Sequence, residues 1–544
     1  MTALRTTNQA LAHQLATHLE QHHPAYSQDL HERFSMTRHS TTPRPSVSTL
    51  PLGGLTMTYL VAPAILFAWG WLRTPYALAV TLTAGLAIFF ALRDAWRGRD
   101  QTPWRQRLRL LWPALVLLLA WLLLSGVGGI GLQNGDYKSS NALLRGLIES
   151  DWPLRIEFEG QTVPVVYYLA YFLPAAAVGK AFGWGAANVF IFFWALAGIL
   201  LAFGWFRRLS AAPARFWPTF GLALLFCLAG GMDAAGYYLD PENAFRWGAH
   251  LENWAKLFQF SSQTTLLYWV PQQALAAWLM AGLTLACLDE PRLVRYLGMA
   301  VAAGILWTPF GVVGIAPYLL GAGITLLVRK QARVLLAPLS VGLNLGAIPV
   351  ALIHALYISS NRYDFPIGLL WTLVENRQIY LRTALEFWLL EFGLLAGWAT
   401  VIRLLRRAAP QNEKPAGLPP GWFGLVCLIL SALPLFKMGY NNDLVMRASI
   451  PSLFYFWIFI GQAFLGAAPP RRRGWVLALR ILLLLLLLVG SYTSLSEIIR
   501  SINNFHIGPP NLEGVKSIAE ATYPHIVAQR IGNEESPFFR LLGR

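Results

Sequence analysis

Residues 131–183 read GLQNGDYKSSNALLRGLIESDWPLRIEFEGQTVPVVYYLAYFLPAAAVGKAFG, and the place of this stretch between two long apolar runs decides the fold. It must leave the bilayer, yet its second half is rich in aromatic and aliphatic residues, so it reads as a layer at the membrane surface. Its first half collects Asp136, Lys138, Asn141, Arg145, Glu149 and Asp151 directly after an apolar run. Leu143, Leu144, Leu147 and Ile148 recur at spacings that fill one helical face, so a helix is predicted to begin at Asp136 or just after it. An Asp at that place is equally a plain N-cap, its carboxylate accepting backbone N–H bonds. A second helix is predicted over 167–182, with Tyr167, Tyr168, Tyr171 and Phe172 at headgroup level.

The rest of the chain agrees with a membrane protein. Of its 544 residues, 56 % are hydrophobic and only 13 % charged, and the apolar stretches repeatedly reach spanning length, which excludes a soluble enzyme. Cys227, Cys287 and Cys427 all fall inside apolar runs with no ligand spacing to His, so neither a disulfide framework nor a zinc site is indicated. The net charge of +16 follows topology: about 26 of the 43 Lys/Arg and about 8 of the 27 Asp/Glu fall on the side taken as cytoplasmic. Nucleic-acid binding is not needed to explain it.

Residues 1–55 form a polar cytoplasmic tail with His13, His18, His22, His23, His31 and His39, spaced like no familiar metal site and without the layout of a signal peptide. Residues 56–108 read as a transmembrane hairpin, 57–72 and 76–92, followed by a basic cytoplasmic loop. Residues 109–495 form the core, with spans at 110–127, 186–206, 216–233, 267–288, 294–309, 311–328, 334–356, 384–405, 421–437, 450–467 and 475–495. Keeping 163–183 at the surface instead of across the bilayer leaves Arg292/Arg295, Arg329/Lys330/Arg333, Arg403/Arg406/Arg407 and Arg471/Arg472/Arg473 inside, as the positive-inside rule requires. The expectation is an all-α polytopic protein of about thirteen spans, N-terminus inside and C-terminus outside. Loops 130–185, 234–266, 357–383 and 437–449 and the tail 496–544 then share the extracytoplasmic face. No phosphate loop, dinucleotide glycine fingerprint or zinc-protease motif is present, and no charges recur within the spans as in an ion-coupled carrier.

The layout of an Asp-bearing first outer loop, the Asp151-Trp152-Pro153 turn, a surface helix and a span closed by Phe206-Arg207-Arg208 resembles the GT-C-type membrane glycosyltransferases that use lipid-linked sugars, such as protein O-mannosyltransferases and aminoarabinose transferases. The resemblance covers roughly 109–495 and is one of architecture with one local motif. It implies a GT-C-like fold, Asp136 as catalytic base and Asp233 as a second acidic residue of the site. The family's Asp-Glu pair is here Asp136-Tyr137, so the transfer of roles rests on one carboxylate. It further implies a polyprenyl-phosphate sugar donor, an envelope acceptor and a bacterial inner-membrane location.

Such a transfer needs a carboxylate to take the acceptor's proton and cations to hold the departing phosphate. Lys138, Arg145, Arg362, Lys437 and Arg447 are the candidates for phosphate, Arg447 opening a span but equally readable as an interfacial arginine. Asn141, Tyr168, His250, Glu252, Trp254, Asn442 and Asp443 are candidates for substrate contacts, although Tyr and Trp are equally expected as an interfacial belt. No cofactor is demanded; a Mg²⁺ or Mn²⁺ shared by Asp136 and Asp233 stays open. The competing readings are a polymerase or ligase using lipid-diphosphate sugars, and a transporter or flippase of envelope lipids.

Overall fold

The computed structural model describes residues 48–99, 104–239, 248–362, 366–406, 421–439, 442–520 and 527–544. Most of the N-terminal tail with its histidines, together with Arg407, lies outside them. Among the described residues seven helices are long and apolar enough to cross a membrane: Leu50–Trp71, Thr74–Arg97, Leu173–Leu209, Pro309–Val328, Pro338–Ser359, Arg377–Arg406 and Pro470–Asn503. Shorter apolar helices occupy Leu108–Leu123, Phe216–Leu228, Trp422–Leu435 and Ile450–Leu465. The protein is therefore a predominantly helical membrane protein.

Helix α1 (Leu50–Trp71) starts on Pro51 and α2 (Thr74–Arg97) on Pro75, each placing a residue without an N–H where no intrahelical partner exists. The hairpin that they form is no appendage. Trp205 Nε1 donates to Thr56 Oγ1 at 2.8 Å, Trp307 Nε1 donates to the Leu60 carbonyl at 2.9 Å, and Tyr59 stacks on Trp194. At the centre lies Pro271–Ala286, every residue of which is buried; a helix apolar all round belongs inside protein. The span expected at 267–288 is broken, because Pro271 ends the short helix Gln263–Trp269 and starts the next.

The stretch 131–183 is built differently from its expectation. Helix α4 (Gly135–Glu149) follows α3 (Trp104–Leu123) as foreseen, but a β-hairpin then pairs β1 (Arg155–Phe158) with β2 (Gln161–Pro164), Ile156 facing Val163. Residues 167–172 are not helical, and Tyr171 and Phe172 are buried in protein at 2 % and 3 % exposure. Those two are core residues covered by protein, while Tyr167 and Tyr168 are half-buried. Helix α5 (Leu173–Leu209) is interrupted at Gly183, whose φ of 85° lies in the left-handed region that suits glycine. The part before the break, 173–182, is about 15 Å long against a hydrocarbon core of about 30 Å, too short to span.

The C-terminal residues, expected as a tail, are a strap across this layer. Val166 N–H donates to the Arg530 carbonyl at 2.8 Å, Arg362 N–H to Ile531 at 2.8 Å, and Asn533 N–H to Ser360 at 2.7 Å. Phe538 packs on Phe67 and Tyr357, and Arg73 Nε donates to the Gly543 carbonyl at 2.9 Å. At the other end of the bundle, Arg295 Nη1 and the Tyr296 hydroxyl both donate to buried Asp94, at 2.9 and 2.8 Å.

Candidate active site

Helix α4 is capped by Asn134, whose Oδ1 accepts the Asp136 N–H at 3.0 Å while its Nδ2 donates to the Tyr268 carbonyl at 2.8 Å. Asn134 thus takes the capping role and fixes the helix start against Gln263–Trp269. The Asp136 carboxylate is left without a hydrogen bond or ion pair among the described residues. It is open to solvent on one side, yet enough protein surrounds it that lost hydration raises its pKa above the ordinary carboxylate value. Arg447, Arg530 and His250 oppose that rise through their charges, and Asp443 adds to it.

Arg447 lies on the short helix Asp443–Ala448 and pairs with Asp443 one turn back at 2.9 Å, both side chains about one-fifth exposed. It also lies beside Tyr168, which stacks on Tyr167 with centroids 4.5 Å apart. Burial works against the Arg447 charge, but Asp443, Tyr168, Tyr167 and Asp136 outweigh it and keep the guanidinium ionised. Arg530, from the strap, is 6 % exposed. Its Nη1 donates to the Ser139 carbonyl of α4 at 3.0 Å, and its guanidinium lies over the Tyr167 ring at 4.4 Å. Two guanidiniums and two tyrosines thus share the surroundings of one unpartnered carboxylate.

Asp233 is enclosed by protein. It is 1 % exposed, opens the short helix Asp233–Tyr238, accepts the Thr493 hydroxyl at 3.1 Å and lies beside Glu391, whose Oε1 accepts Trp254 Nε1–H at 3.2 Å. A Cβ on Gly231 would come within 1.9 Å of that Glu391 carboxyl, so the fit is tight. Burial raises the Asp233 pKa, and burial plus the neighbouring Asp233 pushes Glu252 up to about 7. Glu252 accepts the Ser262 N–H and Gln259 Nε2–H, both at 2.8 Å. One charged residue, Glu391, is buried inside the spanning helix Arg377–Arg406.

His250 acts electrostatically on both Asp136 and Asp233. Its Nδ1 meets Glu497 Oε1 at 2.9 Å; Glu497 also receives Arg500 at 2.6 Å and Trp269 Nε1 at 3.0 Å. Burial lowers the His250 pKa, but the Glu497 hydrogen bond with the charges of Glu252 and Glu497 outweighs it and the net shift is upward.

The remaining expected residues divide by what already holds them. Lys138 is exposed beside Asp136. Arg145 is bound to Glu149 at 2.9 Å and donates to the Val515 carbonyl. Asn141 donates to Gln133 Oε1 at 2.9 Å. Asn442 is consumed by backbone groups of Leu257, Phe436 and Met438 and serves as a left-handed hinge with φ 57°. Arg362 is exposed, and Lys437 lies on the strand Phe436–Met438 paired with Ile367–Leu369; the charges acting on Asp136 come from Arg447, Arg530, His250 and Asp443 instead. Among the described residues no group of three His, Cys, Asp or Glu could hold a metal ion; Asp233 itself accepts from Thr493 and lies beside Glu391.

The sequence reading missed Arg530, Glu391, Glu497 and Arg500. A lone carboxylate in the apolar run Leu390-Glu391-Phe392 was a usable signal; Arg530, in a polar tail without periodicity, gave none. No family model, curated protein or solved structure matches the chain.

Proposed function

We propose that the chain is a GT-C-like glycosyltransferase of the bacterial inner membrane, N-terminus cytoplasmic and with about thirteen spans, which moves a sugar from a polyprenyl-phosphate donor to an envelope acceptor. The observation that carries this reading is the Asp136 carboxylate, relieved of capping by Asn134 and placed in the field of Arg447 and Arg530. An acceptor hydroxyl reaching Asp136 would give up its proton to the carboxylate as its oxygen bonds to the anomeric carbon. The bond from that carbon to the phosphate oxygen breaks, and the polyprenyl phosphate leaves with the electron pair. Guanidiniums suit that step, being planar donors that match phosphate oxygens and stay charged when partly buried. Asp233, sealed against Thr493 and Glu391, supports the layer and contacts no substrate.

A second reading, a proton-coupled carrier of envelope lipids, is favoured by Glu391 buried inside a span next to Asp233 and near Glu252. Lipid-linked sugar profiling of a deletion strain separates the two. The enzyme reading expects accumulation of one polyprenyl-phosphate sugar on the outer leaflet with an acceptor lacking that sugar. Accumulation confined to the inner leaflet would favour the carrier, and an unchanged profile would defeat both.

A further inference from the structure

The helices Arg377–Arg406, Ile450–Leu465 and Pro470–Asn503 bring three arginines together at one end of the bundle. Arg406 Nε donates to the Ala467 carbonyl at 2.9 Å and its Nη1 to the Gln462 carbonyl at 2.8 Å. Arg480 Nε donates to the Ala463 carbonyl at 3.0 Å, and its Nη2 to that of Gly466. Both guanidiniums thus close over the carbonyls that end Ile450–Leu465, which have no partner within the helix and form the negative end of its dipole. Arg403, one turn before Arg406, lies over the rings of Phe459 and Phe423, at 4.5 and 5.4 Å. Arg403 and Arg480 are near enough for their like charges to act on Arg406.

Capping explains where two of these cations sit but not how many there are. A helix C-terminus carries about half an elementary negative charge, against three positive ones here. The elements packed around them bring no carboxylate, since 392–406, 421–435 and 450–484 contain neither Asp nor Glu. A guanidinium has five N–H bonds. Among the described residues Arg406 and Arg480 each use two, all to backbone carbonyls, and Nη2 of Arg406 and Nη1 of Arg480 take part in none. Both residues are half-buried, at the edge of the protein and not in its core.

The place of Arg480 in its helix says what meets these donors. It lies seven residues beyond Arg473, about 10 Å along the axis of a helix apolar enough to span. Arg471, Arg472, Arg473 and Trp475, before it, are exposed as interfacial residues are. Leu477, Ile481 and Leu484, spaced by four and three, form an exposed apolar stripe beside it. An arginine at this depth keeps its stem among acyl chains and turns its head to the level of the phosphates.

We propose that Arg403, Arg406 and Arg480 form a site for the headgroup phosphate of an anionic phospholipid, with an acyl chain lying along Leu477, Ile481 and Leu484. Guanidiniums match phosphate oxygens with paired N–H bonds. A zwitterionic headgroup carries an ammonium of its own, which three clustered cations repel, so the site selects a lipid of net negative charge. The site stands apart from Asp136 and does not depend on the sugar transfer proposed above.

The test uses the full chain in detergent micelles with pyrene-labelled phosphatidylglycerol or pyrene-labelled phosphatidylcholine, read by energy transfer from tryptophan. Phosphatidylglycerol should bind about 10-fold more tightly. Excess inorganic phosphate should not displace it, because a free ion gains nothing from the apolar stripe. Arg406→Gln and Arg480→Gln should each weaken phosphatidylglycerol binding by about 5- to 10-fold. Arg480→Lys, which keeps the charge but not the fork, should lose less. Arg333→Gln, at an exposed arginine outside the cluster, should change nothing. The glutamine variants also give up bonds to helix carbonyls, so the comparison of the two lipids on the unaltered protein is decisive by itself. Equal affinity for both lipids, or displacement by inorganic phosphate, would overturn the site. So would undiminished binding in both glutamine variants, or a loss in Arg333→Gln equal to that in Arg480→Gln, which would spread the preference over the whole basic face.

Discussion

Glu252→Gln should make the protein more stable in alkaline buffer and not in acid. The Glu252 carboxyl is 1 % exposed, and burial with the adjacent Asp233 lifts its pKa from 4.5 to about 7. The fold favours the protonated form, so this stabilisation is complete below the unfolded value and is lost as pH rises through the folded one. A tenfold change in ionisation constant is worth 1.36 kcal/mol, so the gap from 4.5 to about 7 corresponds to roughly 3 kcal/mol lost by mildly alkaline pH. Glutamine stays neutral throughout. Its oxygen can still accept the Ser262 N–H, and Gln259 can turn its own amide to meet the new NH₂, so the packing of both 2.8 Å contacts survives. The assay is thermal unfolding of both proteins in the same micelle between about pH 5 and about pH 8.5. The wild-type midpoint should fall across that range, that of the variant should fall less, and the order of the two should favour the variant at the alkaline end. Parallel curves would refute the buried, protonated Glu252.

Removing Arg447 or Arg530 takes away charge that holds the Asp136 pKa down, so Arg447→Gln should move the acidic limb of the activity profile to higher pH, and Arg530→Gln should do so less; pH–rate profiles on saturating donor decide the order. Asp94→Ala strands the buried Arg295 guanidinium and should cost about 3–5 kcal/mol, with Arg295→Met restoring part of it, as read by melting of single and double variants. Gly314→Ala would place a methyl 2.1 Å from the Ala448 carbonyl and push the short helix bearing Arg447, so donor KM should rise several-fold while membrane insertion is kept; unchanged kinetics would show that this helix position does not matter.

The spans were legible in part because lipid enforces a simple pattern of long apolar runs: seven of the runs so read stand as helices long enough to cross a membrane, whereas the run at 267–288 is broken at Pro271. The surface layer was legible only in part. Leu143, Leu144 and Leu147 announced α4 by period, but Asn134 was overlooked as its cap, and that choice decides whether Asp136 is free. The hairpin Arg155–Phe158/Gln161–Pro164 is too short and too mixed in pattern to declare itself. Tyr171 and Phe172 looked interfacial because composition does not tell a lipid-facing ring from one covered by protein. Arg530 reaches the site from about four hundred residues downstream of α4 through strap contacts that are largely backbone hydrogen bonds, which leave no trace in side-chain pattern.

Single-turnover transfer in proteoliposomes loaded with a polyprenyl-phosphate sugar and its acceptor tests the central claim most directly, comparing wild type with Asp136→Asn. Asparagine keeps the size of the side chain and removes its ability to take a proton. The account predicts that the transfer rate falls by about two to four orders of magnitude while lipid-phosphate binding is retained. A variant that transfers at the wild-type rate, in protein shown to be folded and inserted, would contradict it.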